Sequence, residues 1–326
     1  MERKQFYCEN LPAGLPVFHQ PFWLDTVCPG EWDVALVIRD NKIVASMPYH
    51  FRTNGSKCYI TMPLLTQFLG PFFVSSEIKA ANRISHEMEL MEELLLQLPS
   101  FSQFNQNWQY SVQNWLPFYW KKFSQTSRYT YLISDTSDID SVWKKIGQNT
   151  RFKIRKAEKH LVLSKGADPD FFFKLLDQTF EKQNLKVPYS PALIHKIFKT
   201  AEANHAGESW FASDHAGNPV AAVFLIWDQN TVYYLMGGFD NSRETHNAMS
   251  LLLWKGIRVA SETGKMFDFE GSVLPGVEKF FRNFGGELKL FFKITKRQWT
   301  KWELFKLHTG GVLNILFGRS GSEPPF

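Results

Sequence analysis

The chain has 326 residues, 44% of them apolar and 16% aromatic, and a formal net charge of +5. At about 150 residues per domain this length suits two domains, and the large rings must fill their cores or line a groove. The charge is compatible with an anionic partner but does not demand one. The longest apolar run, Val220 to Trp227, is far short of the roughly 18 residues of a membrane helix.

Cys8, Cys28 and Cys58 match no zinc-ligand spacing, and their odd number argues against a disulfide framework. No metal centre is expected, and a reduced, cytoplasmic setting fits. The start, MERKQFYCEN, has no apolar core of the kind a signal peptide needs.

Residues before Trp32 are rich in proline and aromatics and read as an irregular arm with a short helix at most. A hairpin follows: Trp32 to Arg39 alternates, Asp40-Asn41 turns, and Lys42 to Phe51 alternates again. A third strand starts at Cys58, after the Asn54-Gly55 turn. The segment LLTQFLGPFF breaks at Gly70-Pro71, and Ile84, Met88, Met91, Leu95 and Leu98 predict a helix over 80–98. A strand is expected within Phe101 to Asn114, a short helical turn at Trp115 to Trp120 and a strand at Arg128 to Ile133. Asp138 or Ser141 then caps one long basic helix over 141–160, which would span ~30 Å.

After a strand at Leu161 to Lys165 come helices over 168–184 and 191–203. The second half then repeats the first in outline. GEWDVALVIRDNKIVASMPYHF and GESWFASDHAGNPVAAVFLIWD both run Gly-Glu, tryptophan, short strand, turn, longer strand, turn and third strand. A helix over 246–263 leads into KMFDFEGSVLPGVEKFFRNFGGELKLFFK. Here Phe267 and Phe269 alternate with Asp268 and Glu270, so the rings take one side of a strand and the carboxylates the other. Pro275 opens a helix carrying Val277, Phe280, Phe281 and Phe284, Gly285-Gly286 stops it, and Leu288, Leu290 and Phe292 alternate in a closing strand. Beyond Lys296 the chain reads as an amphipathic or buried helix with Trp299 and Trp302, then a disordered end.

The order of meander, helix, FDFEGS and a short helix ending FFRNFGGEL resembles the GNAT-like acyltransferases of the FemAB/FemX type. The resemblance is strongest over Asp138 to Lys293 and extends more weakly to LLTQFLGPFF. It implies an α/β (α+β) fold of two tandem GNAT-like domains, with mixed, mainly antiparallel sheets flanked by helices. The division would be 1–137, 138–296 with the basic linking helix 141–160, and a helical tail over 297–326. It implies transfer of an acyl or aminoacyl group to an amine, without a covalent enzyme intermediate. The family's D-F-x-G turn falls on Asp268, Phe269 and Gly271, and its F-K-x-x-F-G segment on Phe280 to Gly285. The lysine of that segment is here Phe281, and the nearest cations are Arg282 and Lys279.

On this resemblance Asp268 or Glu270 is the expected base, with a helix cap as the plain alternative. Arg282 is the expected oxyanion or phosphate donor, or else a surface arginine. Tyr233, Tyr234 and Phe281 are expected near substrate, with at least one tyrosine in the core because neighbours on a strand face opposite ways. Lys153 and Arg155 belong to a basic run that is either an RNA or phosphate track or a solvated face. His246 and Asn247 open a helix whose amides suit an anion. The preceding FDNSRETHNAMS lacks the Q-x-x-G-x-G pattern of many acetyl-CoA-using relatives. No permanently bound cofactor is expected; the donor is acyl-CoA or aminoacyl-tRNA, and the acceptor a small-molecule or cell-envelope-precursor amine. The alternative is a non-catalytic binding module that keeps the fold.

Overall fold

The computed structural model describes residues 2–75, 79–166, 168–242 and 244–298. The helix expected beyond Lys296, with Trp299 and Trp302, and the end of the chain lie outside the described residues. Among the described residues no helix is long and apolar enough to cross a membrane.

The helices are α1 (Arg3–Glu9), α2 (Pro21–Val27), α3 (Ala80–Leu95), α4 (Leu116–Trp120), α5 (Ile139–Lys145), α6 (Gln148–Glu158), α7 (Pro169–Glu181), α8 (Pro191–Ala203), α9 (Ala248–Glu262) and α10 (Pro275–Arg282). The strands are β1 (Trp32–Arg39), β2 (Lys42–Asn54), β3 (Lys57–Thr61), β4 (Phe72–Phe73), β5 (Gln103–Asn107), β6 (Ser124–Ile133), β7 (Leu161–Gly166), β8 (Gly207–Asp214), β9 (Pro219–Trp227), β10 (Thr231–Phe239), β11 (Met266–Asp268) and β12 (Glu287–Arg297).

Among the described residues the strands form one sheet in the order β1-β2-β3-β5-β12-β6-β11-β10-β9-β8-β7, with β4 beside β2. The sheet is mixed and mainly antiparallel, flanked by helices. Both meanders, β1-β2-β3 and β8-β9-β10, are antiparallel, and each passes a parallel strand next, β5 beside β3 and β11 beside β10. The centre is an exchange. β12 lies between β5 and β6, and β6 lies between β12 and β11. Strands from the two ends of the chain are thereby stitched into one ladder, from Glu287↔Leu132 to Thr295↔Ser124.

Side chains on both faces of the second meander are covered. On one face Ile154, Leu252, Phe267 and Phe281 share a core, and on the other Phe172, Ile197, Phe224 and Tyr233 do. The N-terminal arm is more ordered than its composition suggests. Val17, Phe18 and Trp23 are buried in the second of these cores, and Tyr7 donates to the His19 carbonyl at 2.9 Å. Pro21 starts α2 where its missing N–H costs nothing.

The single basic helix expected over 141–160 is two helices. Ile146 is extended, Gly147 is the N-cap of α6, and its N–H donates to the Asn283 carbonyl at 2.9 Å. Gly285, at φ +77, passes so close under α5 that a Cβ would lie 2.5 Å from the Lys145 carbonyl oxygen. Docking against the end of α10 therefore breaks the helix although the amphipathic pattern runs through. The strand sought in 101–114 is only β5, and β11 stops at Asp268, so Phe269 and Glu270 lie beyond it.

Candidate functional site

β10 and β11 run parallel through three partners, Thr231↔Met266, Val232↔Phe267 and Tyr233↔Asp268, and then part. β10 continues against β9, with a register shift between Tyr234 and Met236 that re-aims its side chains. The other chain turns away through Glu270 and Gly271, both left-handed at φ 60 and 65. The turn presses on β6: a Cβ on Gly271 would stand 2.1 Å from the Tyr129 carbonyl oxygen. A glutamate held at positive φ is a strained backbone, which marks the point where the two strands diverge.

The alternation in Phe267-Asp268-Phe269 has a packing cause. Phe267 and Phe269 enter the core together, with centroids 4.9 Å apart, and Phe269 also meets Phe281 and Phe284 at 5.4 Å each. Asp268 is driven to the opposite side, where it is fully buried. Its Oδ1 accepts from Thr130 Oγ1 at 2.5 Å, from the Glu270 N–H at 2.8 Å and from Gln67 Nε2 at 3.4 Å. Burial raises its pKa from 3.8 to about 6, against the lowering effect of those donors and with a further push from Asp228. Glu270 is half-buried, with Oε1 enclosed and without a partner among the described residues. Burial, and then the Asp268 charge, hold it well above the ordinary glutamate range.

Beside this pair lies a cavity of about 290 Å³ bordered by Gln67, Asn107, Arg128, Tyr129, Glu270 and Ser272. Gln67 comes from the loop after β3, and its own carbonyl accepts from Asn107 Nδ2 at 3.1 Å. Residues far apart in sequence thus form one wall. Arg128, on β6, is the cation among the described residues that border the cavity. Burial raises the phenols of Tyr189 and Tyr234, and the Glu270 carboxylate adds to the effect on each.

The residues expected from sequence fall into three groups. Asp268, Glu270 and Tyr234 are brought together. Tyr233 points opposite to Tyr234, as strand alternation requires, and lies beside its register partner Asp268 without bordering the cavity. It is fully buried, donates to Asp228 Oδ2 at 2.9 Å and packs on Phe18 at 5.1 Å. Phe281 is a buried wall against Tyr234, 5.8 Å away, with no open face toward the cavity. Arg282 stands apart from the carboxylates on the exposed side of α10, where its Nε pairs with Glu278 Oε1 at 3.1 Å. Lys153 and Arg155 lie on α6 and do not border this cavity; the Arg155 guanidinium sits 5.5 Å over the Trp143 ring. His246 and Asn247 precede α9 in left-handed conformations, φ 47 and 66. The His246 ring stacks on His160 at 4.6 Å, and its Nδ1 is 3.2 Å from Glu244 Oε1, which also lies 3.8 Å from Lys156 Nζ.

Sequence reasoning missed Gln67, Thr130, Arg128 and Tyr189. Gln67 sits inside LLTQFLGPFF, a polar residue within an apolar run, and that was a usable signal. Thr130 and Arg128 read as ordinary strand residues, and nothing local marks them.

Residues 144–282 match a family model described as an acetyltransferase (GNAT) domain. In architecture the chain is similar to the crystal structure of FemX, at 13% identity and a TM-score of 0.63, covering 89% of this chain and 94% of that one. It is similar to the C-terminal domain of a putative lysylphosphatidylglycerol synthetase from Agrobacterium fabrum, at 11% identity and a TM-score of 0.52, covering 88% and 91%. A conserved protein of unknown function from Bacteroides thetaiotaomicron aligns at 14% identity and a TM-score of 0.50, covering 85% and 90%. No curated protein matches the chain in sequence. Residues 144–282 thus match a GNAT acetyltransferase domain, and the fold of the chain is like that of FemX.

Proposed function

We propose that the protein is an N-acyltransferase, moving an acyl or aminoacyl group to an amine by direct attack. One observation carries this reading: a buried Asp268–Glu270 pair sits where β10 and β11 part, at the edge of a cavity that both ends of the chain build. Acyl transfer to an amine needs a proton acceptor, an oxyanion donor and a place where two substrates meet. Glu270 is the acceptor, because it borders the cavity and its raised pKa brings it toward the working range of a general base. Asp268 supports it from below. Arg128 faces the same space and is our choice of oxyanion donor in place of Arg282. Tyr234 and Tyr189 are the phenols on which the Glu270 charge acts.

In this reading 1–137 and 138–296 are two GNAT-like units that exchange β6 and β12, and the acceptor amine enters the cavity between them. The donor is an acyl-CoA or an aminoacyl-tRNA, its phosphates lying near His246, Asn247, His160 and Lys156 at the start of α9, with Lys153 and Arg155 farther along α6. The donor set is mixed: the imidazoles and the lysine suit an anion, whereas Glu244 beside His246 repels one.

That carboxylate favours the second reading, a binding module that retains the fold without a donor site. A thermal-shift series with acetyl-CoA, longer acyl-CoAs and aminoacyl-tRNA separates the two. Stabilisation by one donor, followed by transfer to an amine that Glu270→Gln lowers by about 10²–10⁴-fold, supports the transferase. Failure of every donor to bind overturns it.

A further inference from the structure

Among the described residues, three buried oxygens at this site have no hydrogen-bond donor: Asp268 Oδ2, Gln67 Oε1 and Glu270 Oε1. The distribution of donors around Asp268 is one-sided. Thr130 Oγ1, the Glu270 N–H and Gln67 Nε2 all converge on Oδ1, and none reaches Oδ2. The orientation of the Gln67 amide is not free. A carboxylate only accepts, so the NH2 must face Oδ1 and the carbonyl oxygen is left bare. Three enclosed acceptors without a donor are an unstable arrangement, since each loses its hydration with nothing in return. A single proton changes this, because a protonated carboxyl becomes a donor to its neighbour.

The charges around the pair point the same way. Asp228 acts on Asp268 and Asp268 on Glu270, and the two carboxylates act in turn on the phenols of Tyr110 and Tyr233 and of Tyr189 and Tyr234. Arg128 borders the cavity with Glu270 and is the cation among the described residues there; the groups acting on the two carboxyls are otherwise acids and phenols. Two adjacent carboxyls in such surroundings do not both ionise near neutral pH.

We infer that Asp268 and Glu270 hold one proton between them, and that Thr130 and Gln67 are positioning residues that gather the donors on Oδ1 and so leave Oδ2 as the oxygen of Asp268 free to bear it. The use of this pair rests on the transferase reading; its existence does not. At rest the pair carries one proton and one negative charge. When a neutral amine in the cavity attacks the acyl carbon, an N–H bond of the resulting tetrahedral intermediate breaks and an O–H bond forms at Glu270 Oε2, the oxygen left on the cavity side. The shared proton then resides on Asp268 Oδ2 and the pair is neutral. As the tetrahedral intermediate collapses, the Oε2–H bond breaks and the proton passes to the departing oxygen or sulfur, restoring the resting pair. Asp268 thus enables a half-buried glutamate to accept a proton without two buried negative charges ever coexisting.

The test uses carbon-13 carboxyl NMR of the full chain, labelled at Asp and Glu and titrated without substrate. The two signals should shift together, one carboxyl holding its proton well above the ordinary range. Asp268→Asn should lower the titration of Glu270 by about one pH unit or more, because a charge is removed and an N–H donor takes its place. Thr130→Val and Gln67→Met should each raise that of Asp268, and Thr130→Ser should restore it. A merely structural role for Thr130 and Gln67 would change stability and leave the titration unmoved. Independent titration of both carboxyls in the ordinary range, or a Glu270 signal indifferent to Asp268→Asn, overturns the inference. If the coupled titration is found and no transfer can be measured, the shared proton stands and the transferase reading falls. If transfer depends on Glu270 but the titrations are independent, the opposite holds.

Discussion

Replacing Asp268 by asparagine should stabilise the protein, and by an amount that grows with pH. Asparagine keeps the shape and keeps an oxygen for Thr130, the Glu270 N–H and Gln67. It also puts an amide nitrogen on the bare side, where Gln67 Oε1 and Glu270 Oε1 lack donors. In the wild type the folded state must ionise a carboxyl whose pKa burial has raised from 3.8 to about 6. A raised carboxyl pKa means that the folded state binds the proton more tightly than the unfolded chain. Stability is therefore lost as pH rises from the unfolded value through the folded one, and stays lost above it. The full loss is about 3 kcal/mol, of which roughly half has developed by pH 5. The advantage of the Asp268→Asn protein over the wild type should then widen by roughly 1.5 kcal/mol between pH 5 and pH 8. Glu270, shifted in the same direction, responds to the substitution with the same sign. Urea unfolding of both proteins at the two pH values measures this, provided the m-values agree. An advantage that is equal at both pH values, or a variant less stable than the wild type at pH 8, would refute the account of a buried, destabilised carboxylate.

Arg128→Ala and Arg282→Ala should separate the two arginines. The first is expected to lower transfer by about 10²–10³-fold as an oxyanion donor. The second breaks an exposed pair with Glu278, is expected to change stability by under about 1 kcal/mol, and should leave transfer intact; a loss of turnover with Arg282→Ala would restore it to the site. Gly271→Ala places a Cβ 2.1 Å from the Tyr129 carbonyl oxygen on a backbone at φ +65. Destabilisation of more than about 2 kcal/mol is expected in thermal or urea melts, and a neutral result would show that the turn relaxes. Tyr233→Phe removes the 2.9 Å bond to Asp228. It should lower stability by about 1 kcal/mol with transfer unchanged, in contrast to Tyr234→Phe beside Glu270.

The division between what is local and what is long-range runs through every part of this protein. Periodicity in the sequence was enough for both meanders, for α3, α7, α8, α9 and α10, and for the opposite placement of Phe267 and Asp268, because each depends only on which side chains share a face. The DFEG turn was likewise legible, since a strand end, two carboxylates and a glycine lie within four residues. The break between α5 and α6 was not. The apolar spacing continues across it, and the deciding contacts come from Asn283 and Gly285, more than 130 positions downstream. The exchange of β6 and β12 was hidden for the same reason: alternation says that a segment is a strand and leaves its neighbour open. The site divides in the same way. Sequence alone determined that two carboxylates stand at the end of a strand. Only the tertiary structure decided that Thr130 and Gln67, 138 and 201 residues away, crowd one oxygen of Asp268. It also decided that Arg128, rather than Arg282, borders the cavity. Hydrogen bonds and cavities are made where distant segments meet, and a pattern read along one segment carries no record of what packs against it.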